Sequence, residues 1–368
     1  MTSFAPTAMT ALIDRPVRYD LAESTCPSLR PGELAEPAEL MDVVLGYGTS
    51  RGDADLRALV AARTGVEPGQ VLVTVGAVAA MFLLAQATCA PGDRVLLATP
   101  CFPPALSVPE GLRARVDAVP LSFDDGYRLP VDAMADALTP RTRLVSLASP
   151  QNPAGVRFTE AELRALLDAV AERAPEAVVF VDETYRESAY GDAAIPASAA
   201  SLPRVVTCSS LSKAHGAPGL RIGWLTTTDA DLYERLREAK FVSAIACATV
   251  DEFLGARVLQ RADEVLAPRA RLLRRALDEL LGWTRDQPVE IVRPDGGAIC
   301  CLRLPTDRFS ADAVGEFYAR LGKLDARVAP GSWFGAEDRV FRLGFGYLPP
   351  AEFSAALDRL GDALAAAS

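Results

Sequence analysis

One pattern runs through the first two thirds of the chain and limits what it can fold into. A short apolar run ends on a polar break, and a segment with helical period follows. The runs at 71–74, 95–98, 144–148, 178–181, 205–208 and 222–225 show no polar face, so strands formed from them must be covered on both sides. The intervening segments, such as 160–172 and 231–240, carry the 3.6-residue period of surface helices. Strands alternating with helices predict an α/β fold around a parallel or mixed sheet.

After about residue 250 the texture changes. A long stretch rich in Arg, Leu, Ala and Glu at 251–281 reads as one helix, followed by shorter strands at 289–292 and 298–304 and a last helix from Pro350. The long helix is expected to lead into a smaller α+β domain, joined by the first forty residues. The expected division is a large domain at 41–255 and a small one built from 1–40 and 256–368. No repeats and no low-complexity linker interrupt this plan.

Composition narrows the function. Of 368 residues, 50% are hydrophobic and 23% charged, which suits a globular protein with a sizeable core. The formal charge of −10 disfavours a nucleic-acid or anionic-membrane partner. The longest apolar stretch, 75–90, is interrupted by Gln86 and Thr88 and is too short to span a bilayer. Positions 1–15 lack a basic start followed by a long apolar stretch, so the expected location is cytoplasmic. Seven scattered cysteines and a single histidine argue against a disulfide framework or a metal site. With His215 alone, Ser-His-Asp and Cys-His-Asn triads are also disfavoured.

In open α/β sheets ligands bind at the carboxyl ends of the strands. The polar residues that end the apolar runs should therefore converge there: Thr74 to Ala77, Ser149 to Pro153, Asp182 to Tyr185, and Ser210 to Lys213. Lys213 lies in S-S-L-S-K-A-H-G-A-P-G-L-R-I-G-W at 209–224, among small hydroxyl residues and glycines that favour loops and close backbone approach. An amine in that setting suits a phosphate contact or a Schiff-base nucleophile better than a solvated helix face.

Four motifs, N-P-A-G at 152–155, D-E-T-Y at 182–185, S-L-S-K at 210–213 and G-L-R-I-G at 219–223, resemble in order and spacing the fold type I pyridoxal-phosphate (PLP) enzymes of the class I/II aminotransferase family. The resemblance runs from about Tyr47 to Arg342. It implies a large α/β/α domain with a mainly parallel seven-stranded sheet and a smaller α+β C-terminal domain. It also implies pyridoxal 5'-phosphate as cofactor, held through a Schiff base to Lys213, which then acts as base and acid on the substrate. Asp182 would pair with the ring nitrogen, while Asn152 and Tyr185 would bond the phenolic oxygen. Gly76, Ala77, Val78, Ser210, Ser212 and Arg221 would hold the phosphate, joined by Tyr47 from across a homodimer interface. Phe102 would lie over the ring. Arg342, in F-R-L-G-F-G at 341–346, would clamp the substrate α-carboxylate, with Asn152 also on the substrate side.

Plainer readings of single residues stand beside these. Asp182 could serve as a turn or helix cap, Gly76 as a tight turn, Arg342 as half of a structural ion pair, and Tyr47 and Phe102 as core aromatics. His215 reads as packing near the lysine.

There are departures. The segment D-L-A-E-S-T-C-P-S-L at 20–29 lacks the glycine that many relatives place over the substrate, and no second arginine is poised for a dicarboxylic side chain. Glu23, in that segment, is a candidate to face a cationic side chain. Y-G-T-S-R-G, T-P-C-F, the run after Ser212 and P-G-S-W-F-G are also similar to the capreomycidine-synthase branch of the family. The expected activity is therefore transamination of an L-amino acid, in specialised metabolism. The alternative is a PLP-dependent lyase or cyclase acting by β- or γ-elimination or replacement on a hydroxylated, arginine-like amino acid. A ligand-sensing domain of a transcription regulator is the third class, disfavoured because no helix-turn-helix pattern precedes Tyr47.

Overall fold

The computed structural model describes Phe4 and residues 6–367. Positions 1–3, 5 and 368 lie outside the described residues, so part of the N-terminal stretch read for a leader falls there. Seven strands form the central sheet in the order Val71–Val75, Ile222–Thr227, Val205–Ser210, Val178–Asp182, Thr142–Ala148, Arg94–Thr99, Arg115–Pro120. Ile222–Thr227 runs antiparallel to both neighbours, and every other pairing is parallel. The unbroken apolar runs follow from two cores, one on each face. Along Val178–Asp182, Phe180 joins a core with Leu72, Leu84, Val206 and Leu236, while Val179 and Val181 join another with Leu96, Met134, Leu163 and Leu166.

Arg115–Pro120 was not among the apolar runs, because it is an edge strand that pairs only with Arg94–Thr99. Its sequence, R-V-D-A-V-P, puts a charge where an inner strand would have an apolar residue. Asp117 takes both Nε and Nη2 of Arg94, at 2.7 and 2.5 Å. A charged edge that closes on a proline deters further strand addition.

A smaller antiparallel sheet holds Ala329–Pro330, Val340–Gly344, Ile299–Arg303 and Glu290–Val292. Its core includes Phe341 from the strands, Leu273, Phe317 and Phe353 from the helices Ala262–Trp283, Ala311–Lys323 and Pro350–Ala367, and Phe309 from the loop before the second of these. Tyr19–Asp20 pairs parallel with Ala326–Arg327, tied by an Asp20–Arg327 ion pair. The single helix expected over 251–281 is instead two, Thr249–Gln260 and Ala262–Trp283, broken at Arg261 with φ −109° and ψ 25°. The two serve different cores: Leu254 and Val258 pack beside Leu56 and Ile222, whereas Leu273 and Leu280 pack beside Phe353. Each half keeps the helical period, so the break left no mark on the apolar pattern. Among the described residues, no helix is long and apolar enough to cross a membrane.

Candidate active site

Lys213 stands in the loop that leaves Val205–Ser210. The loop is fixed by Leu211 N–H to Ile222 O at 3.0 Å and Ala217 N–H to Leu211 O at 2.9 Å. The N-terminal segment closes over it: Cys26 N–H reaches Lys213 O at 3.3 Å and Leu29 N–H reaches Gly216 O at 2.8 Å. Gly216 is required here, since its φ is +66° and a Cβ would collide with Pro27 O. The lysine Nζ donates to Ser24 Oγ at 2.8 Å and lies 4.0 Å from Glu23 Oε1. Sequence reasoning missed Ser24. The available signal was its place in the 20–29 segment, where the family's glycine is absent.

Asp182 ends its strand at the mouth of a cavity lined also by Phe102, Ser146, Ala148, Asn152 and Phe180. Its Oδ1 accepts from Thr184 N–H at 2.9 Å, Thr184 Oγ1 at 2.5 Å and Cys208 Sγ at 3.5 Å. The turn-forming reading of Asp182 therefore holds, and it leaves Oδ2 for a ligand. Burial raises the Asp182 pKa, against the pull of the Thr184 bonds, so a cation brought beside this carboxylate would be favoured. Tyr185 is buried and its hydroxyl has no hydrogen-bond partner, while Lys213 Nζ lies 6.0 Å from its ring centre. Buried hydroxyls without partners are uncommon, and this one suits a ligand oxygen. Phe102 is half-buried, lining the cavity and packing against the core that holds Leu72 and Phe180.

Gly76, Ala77 and Val78 open the helix Gly76–Thr88, whose N-terminus has no side-chain cap. The free N–H groups of that first turn make an anion site. Arg221, in the left-handed region at φ 50° and ψ 34°, lays its guanidinium against Gly76 and donates from Nη1 to Pro218 O at 3.0 Å. Gly223 lets the two chains meet, since its Cβ would come within 2.5 Å of Gly76 C. Ser210 Oγ accepts from Ser212 N–H at 3.3 Å beside this cradle. Gly76 has φ +71°, and a Cβ there would collide with Arg221 Nη2. Gly76→Ala is accordingly expected to destabilise the fold by about 1–2 kcal/mol from backbone strain alone. It should also weaken retention of an anion in the cradle. Denaturant unfolding and cofactor titration check both.

Arg342 is buried and sits 4.8 Å from the Phe334 ring centre. It donates to Asn152 Oδ1 at 2.9 Å and to Ala22 O at 2.7 Å, and its Nε has no partner. None of the ion pairs among the described residues includes it, so the structural ion-pair reading fails. Tyr47 is 90% exposed, which removes the core reading for that residue. Its loop rests on the Glu252 carboxylate, whose oxygens lie 3.2 and 3.1 Å from the positions a Cβ would take on Gly48 and Gly52.

His215 is buried two residues after Lys213, 3.4 Å from Oε2 of Glu187, whose Oε1 binds Arg63. Burial pushes its imidazole down from 6.5 to about 4; the Glu187 carboxylate opposes this, while Arg63, Arg269 and Arg186 add to it. The folded chain thus favours the neutral ring. Between pH 6.5 and about 4 the unfolded chain binds the extra proton, so stability falls as pH drops through that window. The loss is on the order of 3 kcal/mol. His215→Phe is expected to flatten this part of the stability profile, which unfolding midpoints measured across the window would show.

Residues 18–360 match the family model described as aminotransferase class I and II. Capreomycidine synthase from Streptomyces vinaceus is 30% identical over 338 residues, covering 89% of this chain and 85% of that one. Arginine–pyruvate transaminase AruH from Pseudomonas aeruginosa is 30% identical over 306 residues, covering 78% and 75%. Among solved structures, the PLP-dependent cyclase OrfR superposes with a TM-score of 0.88 at 26% identity, covering 100% of this chain and 98% of that one. The chain belongs to the class I and II aminotransferase family, with the fold type I architecture, and its cofactor is pyridoxal 5'-phosphate. The residues present fit that cofactor: an amine at Lys213, a free carboxylate oxygen on Asp182, an unpartnered hydroxyl on Tyr185 and an anion cradle at Gly76.

Proposed function

We propose that the protein is an aminotransferase that takes an L-amino acid through Lys213. The observation that carries this reading is the line of groups from Arg221 through Asp182 and Lys213 to Arg342, whose buried guanidinium donates to Asn152 and the Ala22 carbonyl and keeps an unpartnered Nε. Bound pyridoxal phosphate supplies a carbonyl that condenses with amines and a ring that withdraws electrons from the α-carbon. Arg221, Ser210 and the first turn at Gly76 hold the phosphate. Asp182 keeps the ring nitrogen protonated, and Tyr185 and Asn152 bond the phenolic oxygen. Phe102 bounds the cofactor cavity. Arg342 orients the α-carboxylate, so that the α-hydrogen faces Lys213 Nζ, which moves the proton.

Truncating one partner of a buried charge pair typically raises dissociation by roughly 30-fold or more. Arg342→Gln is therefore expected to raise KM for amino acids by at least that factor, and to leave reaction with simple amines much less affected. Steady-state kinetics on an amino acid and its decarboxylated amine check this.

The active unit on this reading is a homodimer. Tyr47 is exposed, as are Met41, Val44 and Leu45 just before it in the chain, and exposed apolar side chains gathered in one segment suit an interface. Tyr47 would reach the partner's phosphate site. Sedimentation of wild type and a Leu45→Glu variant tests this, since a monomeric wild type would refute it.

A second reading is favoured by the similarity to capreomycidine synthase and to the OrfR cyclase. In it the same lysine removes the α-proton, and a β or γ substituent then leaves. The two separate without added oxo acid: a transaminase forms one equivalent of oxo acid per site and stops, whereas a lyase or cyclase continues over many turnovers.

A further inference from the structure

Lys213, Arg342, Asp182 and Glu23 are charged side chains of the site, and their balance changes when ligands arrive. Glu23 is the one left over. Its Oε1 accepts from Ser24 N–H at 2.6 Å and Thr25 N–H at 3.0 Å, leaving Oε2 uncommitted. Burial raises the Glu23 pKa, but Lys213, the Ser24 N–H and Arg342 together outweigh it and hold the carboxyl below its ordinary value. Without ligands, then, this half-buried carboxylate is charged and is balanced by Lys213 and Arg342.

Both of those cations have other tasks when the site is filled. Under the proposed function, on which this inference rests, Lys213 engages the cofactor and Arg342 takes the substrate α-carboxylate. Asp182, the other carboxylate, gains the ring nitrogen. Glu23 alone loses its counter-charges and gains nothing from the cofactor or from the α-carboxylate. A half-buried carboxylate stripped of its cations is disfavoured unless another cation replaces them. The segment cannot move away easily, because Gly344 N–H bonds Leu21 O at 2.7 Å and a Cβ on Gly344 would collide with Glu23 O.

We infer that Glu23 selects substrates whose side chain carries a positive charge, a guanidinium or an ammonium, and rejects those with a carboxylate. The free Oε2 accepts a hydrogen bond from that group, and a dicarboxylic substrate meets like charge at the same place. Ser24 holds Glu23 and Lys213 in one turn, so the selecting carboxylate and the reacting amine are positioned together.

The test uses holoprotein and probes without an α-amino group, which do not react and cannot offer an α-ammonium to Glu23. Binding of 5-guanidinopentanoate, 6-aminohexanoate and the uncharged 5-ureidopentanoate is measured by calorimetry on wild type, Glu23→Gln and Glu23→Asp. Cofactor retention is read separately by absorbance. Wild type is expected to bind a cationic probe roughly 10- to 100-fold more tightly than the ureido probe, as for a hydrogen bond to a charged group. Glu23→Gln should erase the difference and Glu23→Asp should retain part of it. The ranking of the two cationic probes tells guanidinium from ammonium. Equal binding of charged and uncharged probes by wild type, no binding of any probe, or a preference that survives in Glu23→Gln would each overturn the inference. If cofactor is retained in those cases, the proposed function stands. If wild type holds no cofactor, both fall.

Discussion

Lys213→Ala is expected to lower turnover by roughly 10⁴-fold and to release the cofactor from covalent attachment. The magnitude follows from position. Nζ is held by Ser24 Oγ at 2.8 Å and lies 6.0 Å from the ring centre of Tyr185. No nearby group can take over the proton transfer: His215 is buried and neutral at working pH, and Glu23 is held in its ionised form by the cations around it. An added small amine is expected to restore part of the rate, since the cavity keeps its shape when one side chain is truncated. A variant that retains a tenth of wild-type activity would remove Lys213 from the chemistry.

Asp182→Asn is expected to lower kcat by roughly 10²- to 10³-fold, the size found when one preorganised electrostatic group is removed from a site. Asparagine keeps the shape and can still accept at Oδ1 from Thr184, so the fold should persist. What it loses is the charge that stabilises a protonated ring nitrogen. Burial has already made the ionised Asp182 unfavourable, and a cation placed against Oδ2 relieves this. The carboxylate and the cofactor thus stabilise each other's charged forms. Cofactor affinity should therefore fall with kcat, and thermal unfolding of the loaded variant should lose much of the cofactor-dependent gain. Unchanged kcat would place Asp182 in a purely structural turn.

Much of the fold was legible because the two-faced strands have no polar face to disguise them. Val179, Phe180 and Val181 point alternately into two cores, and both cores demand apolar residues. Where one side is solvent the signal fades, and Arg115–Pro120 with its Arg94–Asp117 pair was invisible to an apolar-run criterion. The break at Arg261 was hidden for a different reason, since two helices with the same period read as one when nothing but a change of core separates them. The positions of Asp182, Asn152, Tyr185 and Lys213 were legible from the rule that polar residues at strand ends gather at one edge. Ser24 was not, because its role depends on a contact with Lys213 across 189 positions of sequence. The openness of Tyr47 was likewise unreadable, since exposure of an aromatic is a property of the packed surface and not of its neighbours in sequence.

The central claim is that Lys213 carries the cofactor, and the chain makes it easy to test because it has three lysines. Lys240 is buried with its Nζ unpartnered, and Lys323 ends a helix of the smaller part. Protein loaded with pyridoxal phosphate would be reduced with borohydride, digested and mapped by mass spectrometry. The account predicts one reduced cofactor adduct per chain, on the peptide that contains Lys213. An adduct on Lys240 or Lys323, or none on Lys213, would contradict it.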